Sequence, residues 1–533
     1  MALDLLIKNG RVIDGAGNPW VRADVGIKDG KIARVYRPGA DTPEAVQELD
    51  ADGKIVCPGF IDAHSHSDFT MLGEGAQYST VLQGVTTEVV GNCGIGYAPI
   101  TEHNRESLEL KSATFQPDVP VNWTTFAEYL ETLERKGLNA NAVYLLGHST
   151  LRTAVIGMEN RPSTKPEQEE MKAFLKEALQ AGAKGMSTGM EYLSGRYANQ
   201  DEIIELAKVV QQNGKLYATH MRNRDRWFEE STREQIEIAE QSGVSLQLSH
   251  LNVKPGASEG AWHRVIQQLE EARSRGIDVS TDTIPFAVGP GLITAIFPPW
   301  AMEKGIPGLR KHLDNPNSRE KLKKECDRYW LMMAYGQWDR ITLAHVENNR
   351  DLIGMTFEEI SNKLGKEPFD CIFDILLDEP VNSVEHALMN GRLFSDEHVI
   401  EMVTHPLFML ASDGWGAPDQ GPVSRVANHP NCYGWTAVLI EDMVGRQKVF
   451  SLEEAIRKMT TFPAQKFGLQ DRGLVREGMV ADLVVMDEKK VRANSTYAEP
   501  HHYTSGIDYV FISGEAVVAG GNLTSATPGR VLR

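Results

Sequence analysis

The sequence predicts an α/β protein built on a TIM-like (β/α)8 barrel, and three observations carry that prediction. Between residues 57 and 465 short apolar runs alternate with helical stretches, as in NAVYLLGH, QEEMKAFLKEALQAG, KGMSTGM, DEIIELAKVVQQNG and KLYATH. Such alternation builds consecutive parallel β/α units. About eight candidate strands can be counted, ending near His66, Cys93, His148, Thr188, His220, His250, Asp282 and Asp413, which is the number that closes a barrel. Potential ligands recur at those ends, the C-terminal mouth where a barrel carries its site. A doubly wound open sheet is the alternative arrangement of the same units.

The flanks read differently. LLIKNGRVID, ADVGIKDGKIARV and GKIVCPG alternate β-branched runs with Asn-Gly and Asp-Gly turns, a hairpin signature. The texture returns in GMVADLVVMD and YVFISGEAVVAGG. Residues 1–56 and 466–533 are therefore expected to form one split β domain around the barrel of residues 57–465. The stretch 285–340 is too long for an ordinary connection, and its FPPWAMEKG and helical PNSREKLKKECDRYW read as an inserted subdomain and a candidate lid.

Composition narrows the function. With 533 residues, 41% hydrophobic and 24% charged, the chain is an ordinary globular sequence rather than a fibrous or disordered one. Its 73 acidic against 55 basic residues give a formal net charge of -18, which repels phosphate backbones and anionic lipid, so neither nucleic acid nor a membrane is the expected partner. No apolar run reaches the ~18 residues of a membrane span. Cys57, Cys93, Cys326, Cys371 and Cys432 form no CxxC pair; together with an N-terminus unlike a secretory signal, this fits the reducing cytoplasm.

The string PGFIDAHSHSD ends an apolar strand in His64 and His66. Residues two apart on a strand face one side, and two imidazoles there are what a metal in a barrel mouth needs from the first strand. Cys93 follows TTEVVGN, His220 follows KLYAT and His250 follows VSLQLS. Taken singly, each has an ordinary reading as a small buried hydrophobe or a hydrogen-bonded core histidine; taken together they point to a metal site. PLFMLASDGW delivers Asp413 to the end of another apolar run, where a carboxylate beside an activated water can ligate weakly and accept a proton.

At these residues the chain resembles the amidohydrolase superfamily and, within it, the D-aminoacylase (N-acyl-D-amino-acid deacylase) family. HSHSD and GNCG are the specific signals; GHSTLR, GMSTGMEY, YATHMRN, LQLSHL, ASDG and GLVREGMVADLVVMD support them. The resemblance implies a small β-sandwich assembled from both termini, a β/α barrel and an insertion late in it. It implies zinc, with one tight site and a second weaker one: His64, His66 and Asp413 at one position, Cys93, His220 and His250 at the other, and Cys93 placed to bridge both. The implied reaction is hydrolysis of a linear amide in a small-molecule substrate by a zinc-activated water, with Asp413 shuttling the proton to the leaving amine.

Two departures bear on the substrate. TDTIPFAVGPG has Ile284 and Phe286 where the family has tyrosines, and HPNCYGW has Asn431 where the family commonly has an arginine for the substrate carboxylate. Replacement cations are Lys254 and either Arg222 or Arg224, while Ile284, Phe286 and Trp415 make the inferred mouth apolar. A hydrophobic or uncharged amide, or a cyclic amide, is thus the competing substrate, although GNCG argues against the cyclic-amide branch with its carboxylated lysine. A non-catalytic metal-binding scaffold is the remaining alternative, and it would be expected to have lost ligands.

Overall fold

The computed structural model describes residues 2–116, 118–326 and 330–533. Eight strands form one sheet in chain order: β1 (Phe60–Asp62), β2 (Val85–Val90), β3 (Asn141–Gly147), β4 (Gly185–Gly189), β5 (Leu216–His220), β6 (Ser245–Leu248), β7 (Val279–Thr283) and β8 (Phe408–Leu410). Every neighbouring pair is parallel. A parallel bridge between Ser65 and Gly414 brings the last strand back to the first. The sheet is the expected barrel rather than an open doubly wound sheet. β2, β3, β4 and β5 are buried at every position, as parallel strands covered on both faces must be.

Inside the barrel Ile61, Val89, Val143, Leu145, Ala218 and Met409 pack together with Ala464, Phe467 and Leu469. Side chains therefore fill the interior, leaving the loops after the strands to build a site. The helices that cover the outside are started by local chemistry. At Phe126–Lys136, for example, Thr125 Oγ1 accepts from the Glu128 N–H at 3.2 Å and Glu128 accepts from the Thr125 N–H at 3.0 Å, a reciprocal cap that satisfies two otherwise unpaired donors.

Both chain ends enter a separate nine-stranded mixed sheet. Its seam is the strand Ile55–Pro58, parallel to Leu3–Val12 on one side and antiparallel to Leu483–Met486 on the other. Ile7, Val25, Ile27, Ile32, Leu483 and Val485 make its own small core.

The interruption late in the barrel is longer than residues 285–340. β7 pairs directly with β8, so the whole of 284–407 lies between them. This segment carries a three-stranded antiparallel sheet of Val288–Leu292, Leu388–Arg392 and Ile341–His345. Leu388–Arg392 is its central strand, pairing with Ile341–His345 on one side and, non-locally, with Val288–Leu292 just past β7 on the other, a relationship that no local pattern records. The expected helix over PNSREKLKKECDRYW runs Pro316–Glu325, and positions 327–329 of that reading lie outside the described residues. Phe297 of the FPPW run is buried against Phe373, and Trp300 donates to Glu325 at 2.6 Å; the run packs into the insertion itself. Among the described residues no helix is long and apolar enough to cross a membrane.

Candidate metal centre

The regular part of β1 stops at Asp62, before the two histidines. Pairing resumes at Ser65, whose bridge to Gly414 places His64 and His66 on either side of it. The shared orientation expected from strand alternation is thus supplied by this bridge. The His66 N–H donates to the Gly414 carbonyl at 2.6 Å, and the Asp413 N–H to the His64 carbonyl at 2.9 Å. Behind the loop lies the fully buried Glu88, which accepts from Ser65 at 3.1 Å, from Gln77 at 2.9 Å and from Ser67 at short range.

Cys93 stands at the centre. Its Sγ lies 3.4 Å from His64 Nε2, 3.6 Å from His220 Nδ1 and 3.4 Å from His250 Nε2. Asp413 Oδ1 lies 3.4 Å from both His64 Nε2 and His66 Nε2. Two donor groups result, His64 with Cys93 and His250, and His64 with His66 and Asp413, each with its ligand atoms within 4.8 Å of one another. His64 thus belongs to both groups, beside the bridging thiolate expected of Cys93. Thiolate, imidazole and carboxylate together are a donor set that suits zinc. Cys93, His250 and Asp413 have φ of 53, 35 and 50°, a region that side chains with a Cβ adopt at a cost and that recurs at functional sites.

The environment holds Cys93 and Asp413 in their deprotonated, ligating forms. Burial alone would raise the Cys93 thiol, but the His64 and His220 imidazoles outweigh it and hold it well below the usual range. Burial would likewise raise Asp413, yet His66 and His64 hold it low. Burial opposes charge on His64, while Asp282 and Cys93 raise its pKa well above the ordinary imidazole value.

Carboxylates orient the imidazoles from behind. Glu191 Oε2 lies 2.6 Å from His220 Nε2. Asp282 Oδ1 lies 3.3 Å from His64 Nδ1 and accepts from the His250 N–H at 2.6 Å. Arg224 Nη1 sits 2.7 Å from His250 Nδ1 and donates to the His250 carbonyl at 2.8 Å. Carboxylate partners of this kind fix ring orientation and raise ligand basicity. Neither Glu191 nor Asp282 carries a local signal of this role, although Glu191 lies within GMSTGMEY and Asp282 near a strand end.

The expected substrate contacts are dispersed. Lys254 is buried on Glu191, at 2.8 Å and 3.2 Å, and burial brings its ammonium down to about 8 against the pull of Glu191. Arg222 pairs with Glu234 at 3.1 Å and donates to the Arg196 and Ala198 carbonyls, beside a different cavity. Asn431 donates to the carbonyls of Ser412 at 2.9 Å and Asp413 at 3.0 Å, so its amide supports the Asp413 turn. Phe286 packs on His429 and Tyr497. Trp415 packs on Phe69 and Phe115. Ile284 faces the ligands, lining a cavity of about 30 Å³ together with His220, His250, Arg224 and Asp413.

Comparisons with known proteins point the same way. The sequence pattern of the amidohydrolase family matches residues 47–283 and 334–518. N-acyl-D-glutamate deacylase of Alcaligenes xylosoxydans xylosoxydans is 32% identical over 100% of this chain and 96% of its own length. The structure of N-acyl-D-glutamate deacylase from Bordetella bronchiseptica, complexed with zinc and a phosphonate mimic of the tetrahedral intermediate, superposes with a TM-score of 0.82, 27% identity and full coverage of both chains. A D-aminoacylase structure with a binuclear metal centre, described by one-metal activation and second-metal attenuation, gives a TM-score of 0.81 at 29% identity, again covering both chains fully.

Proposed function

The chain belongs to the amidohydrolase family, and we propose that it is a zinc-dependent deacylase that hydrolyses the linear amide of an N-acyl-D-amino acid or a related N-acyl compound. The observation that carries this reading is the convergence of Cys93, His64, His220 and His250 within 3.6 Å of one sulfur, in a chain that named deacylases match end to end.

Cys93, His220 and His250 would hold the tighter zinc, and His64, His66 and Asp413 the weaker. Bound zinc acts as a Lewis acid and acidifies water. Asp413 is the base: its carboxylate accepts the proton of the attacking water and returns it to the amide nitrogen, without which the amine would leave as an anion. Glu191 and Asp282 keep the imidazoles turned inward. Ile284, Trp330 and Phe394 wall the small cavity against bulk water. The buried thiols of Cys57, Cys93, Cys371 and Cys432 support the cytoplasm as compartment, and the net charge of -18 supports small molecules rather than nucleic acid as partners.

Assaying zinc-loaded and chelator-stripped protein on N-acyl-D-amino acids and their L-isomers tests the reading. Zinc-dependent release of the D-amino acid is expected. Turnover indifferent to zinc, or a preference for the L-isomers, overturns it.

A further inference from the structure

The cations that sequence reasoning offered to a substrate carboxylate are engaged elsewhere: Lys254 by Glu191, Arg222 by Glu234, Arg224 by the His250 and Asn252 oxygens. A different cation stands next to the centre. Lys111, on the helix Arg105–Phe115, lines a cavity of about 490 Å³ with Phe69, Leu108, Tyr192, Leu193 and Leu292, within the size range of small-molecule sites. Two rings of that wall touch the metal ligands from behind. Phe69 stacks on His66 with centroids 5.4 Å apart, and Tyr192 lies 4.5 Å from His220. The cavity therefore adjoins the candidate metal centre across one layer of side chains.

Among the described residues the Lys111 ammonium makes no hydrogen bond or ion pair. It lies 5.0 Å from the Phe69 ring centroid and 5.9 Å from that of Tyr97, an aromatic seat that stabilises a cation without neutralising it. Its acidic neighbours are Glu385 and Asp68, and burial still draws it down to about 8 against their pull. A half-buried ammonium without a contacting anion has donors to offer a ligand, and Glu106, Glu191 and Glu385 line the same cavity beside its apolar groups.

We propose that Lys111 is the residue that binds the substrate's carboxylate, and that the cavity it lines receives the carboxylate-bearing part of an N-acyl substrate. The assignment rests on the deacylase reading for the word substrate, and on the cavity and the uncontacted ammonium for the site. The carboxylate has two sources, the α-carboxylate of the amino acid or a carboxylate on its side chain, and matched compounds separate them.

The zinc-loaded protein is assayed on N-acetyl-D-leucine against its carboxamide, and on N-acetyl-D-glutamate against N-acetyl-D-glutamine. Wild type should prefer the charged member of at least one pair by roughly tenfold or more in kcat/KM. Lys111→Met should erase that preference through KM, leaving zinc content and turnover of the uncharged member in place, and Lys111→Arg should keep it. A preference that survives in Lys111→Met, or none in wild type that hydrolyses both pairs, overturns the proposal. Should no compound be hydrolysed, the deacylase reading fails by itself, and calorimetry with glutarate still decides the site: wild type should bind at least tenfold tighter than Lys111→Met, and equal affinity overturns it. A purely structural role, offsetting Asp68 and Glu385, would move Tm in Lys111→Met and leave both ratios and glutarate binding unchanged.

Discussion

The Asp413 N–H donates to the His64 carbonyl at 2.9 Å, so the loop after the last barrel strand is tied through its backbone to the loop after the first. The consequence is chemical as well as architectural. The same contact places the Asp413 carboxylate 3.4 Å from two imidazoles that the chain introduced near its beginning, and barrel closure and completion of the donor set become one event.

Replacing Asp413 by Asn preserves the backbone tie and the side-chain volume while removing the base. We expect kcat to fall by ~10²–10⁴-fold, the range for loss of one general acid or base, with the Cys93 site still loaded. Steady-state kinetics beside elemental analysis checks this, and a near-normal kcat would exclude the base role.

Cys93 is surrounded by three imidazole nitrogens at 3.4–3.6 Å, so Cys93→Ala removes the one thiolate common to them. Bound zinc and activity should be lost together while far-ultraviolet circular dichroism is unchanged. Full zinc stoichiometry in that variant would place the tight site elsewhere.

Glu191 receives both His220 and Lys254. Glu191→Gln is expected to weaken zinc binding ~10–100-fold, the usual effect of removing a carboxylate behind a metal-binding histidine. Lys254→Met should act in the same direction, through Glu191. Its signature is a weaker zinc affinity, measured by competition with a chelator, and an unchanged ratio between carboxylate and carboxamide substrates. A collapse of that ratio in Lys254→Met would instead make Lys254 a substrate contact.

Glu202 lies buried between His148 at 3.0 Å and Arg152 at 3.2 Å and accepts from the Ser163 N–H at 3.1 Å. Burial would raise its carboxyl, but His148 and Arg152 bring it down to about 2 from an ordinary 4.5. A depressed carboxylate stabilises the fold above its unfolded pKa, and that contribution is lost as pH falls from about 4.5 toward about 2. Glu202→Gln should therefore lower stability at neutral pH, by about 3–5 kcal/mol if the buried Arg152 guanidinium is left unpaired, and flatten the acid limb of the stability curve. Denaturant titrations from pH 7 to pH 3 would show whether the two curves converge as expected.

The order of the barrel strands was written in the sequence, because alternating apolar runs and amphipathic stretches are local patterns and parallel β/α units leave little topological choice. That His64, His66, Cys93, His220, His250 and Asp413 gather in one place was legible for the same reason: each ends an apolar run, and barrel strands bring their C-terminal ends to one mouth. What the tertiary structure decided were relations between distant segments. Ser65 and Gly414 close the ring, the interruption extends over 284–407 through antiparallel pairs made across it, Glu88 braces the loop of His64 and His66 from inside β2, and Asp282, which reads only as a strand end, lies against His64 and His250. Charge shows the contrast most directly. Lys254, Arg222 and Lys111 are all simply cations in the sequence, and only folding placed Glu191 and Glu234 against the first two and bare aromatic rings beneath the third. A lysine's availability to a ligand depends on which groups lie within a few ångströms in space, and that distance is set by packing rather than by sequence separation.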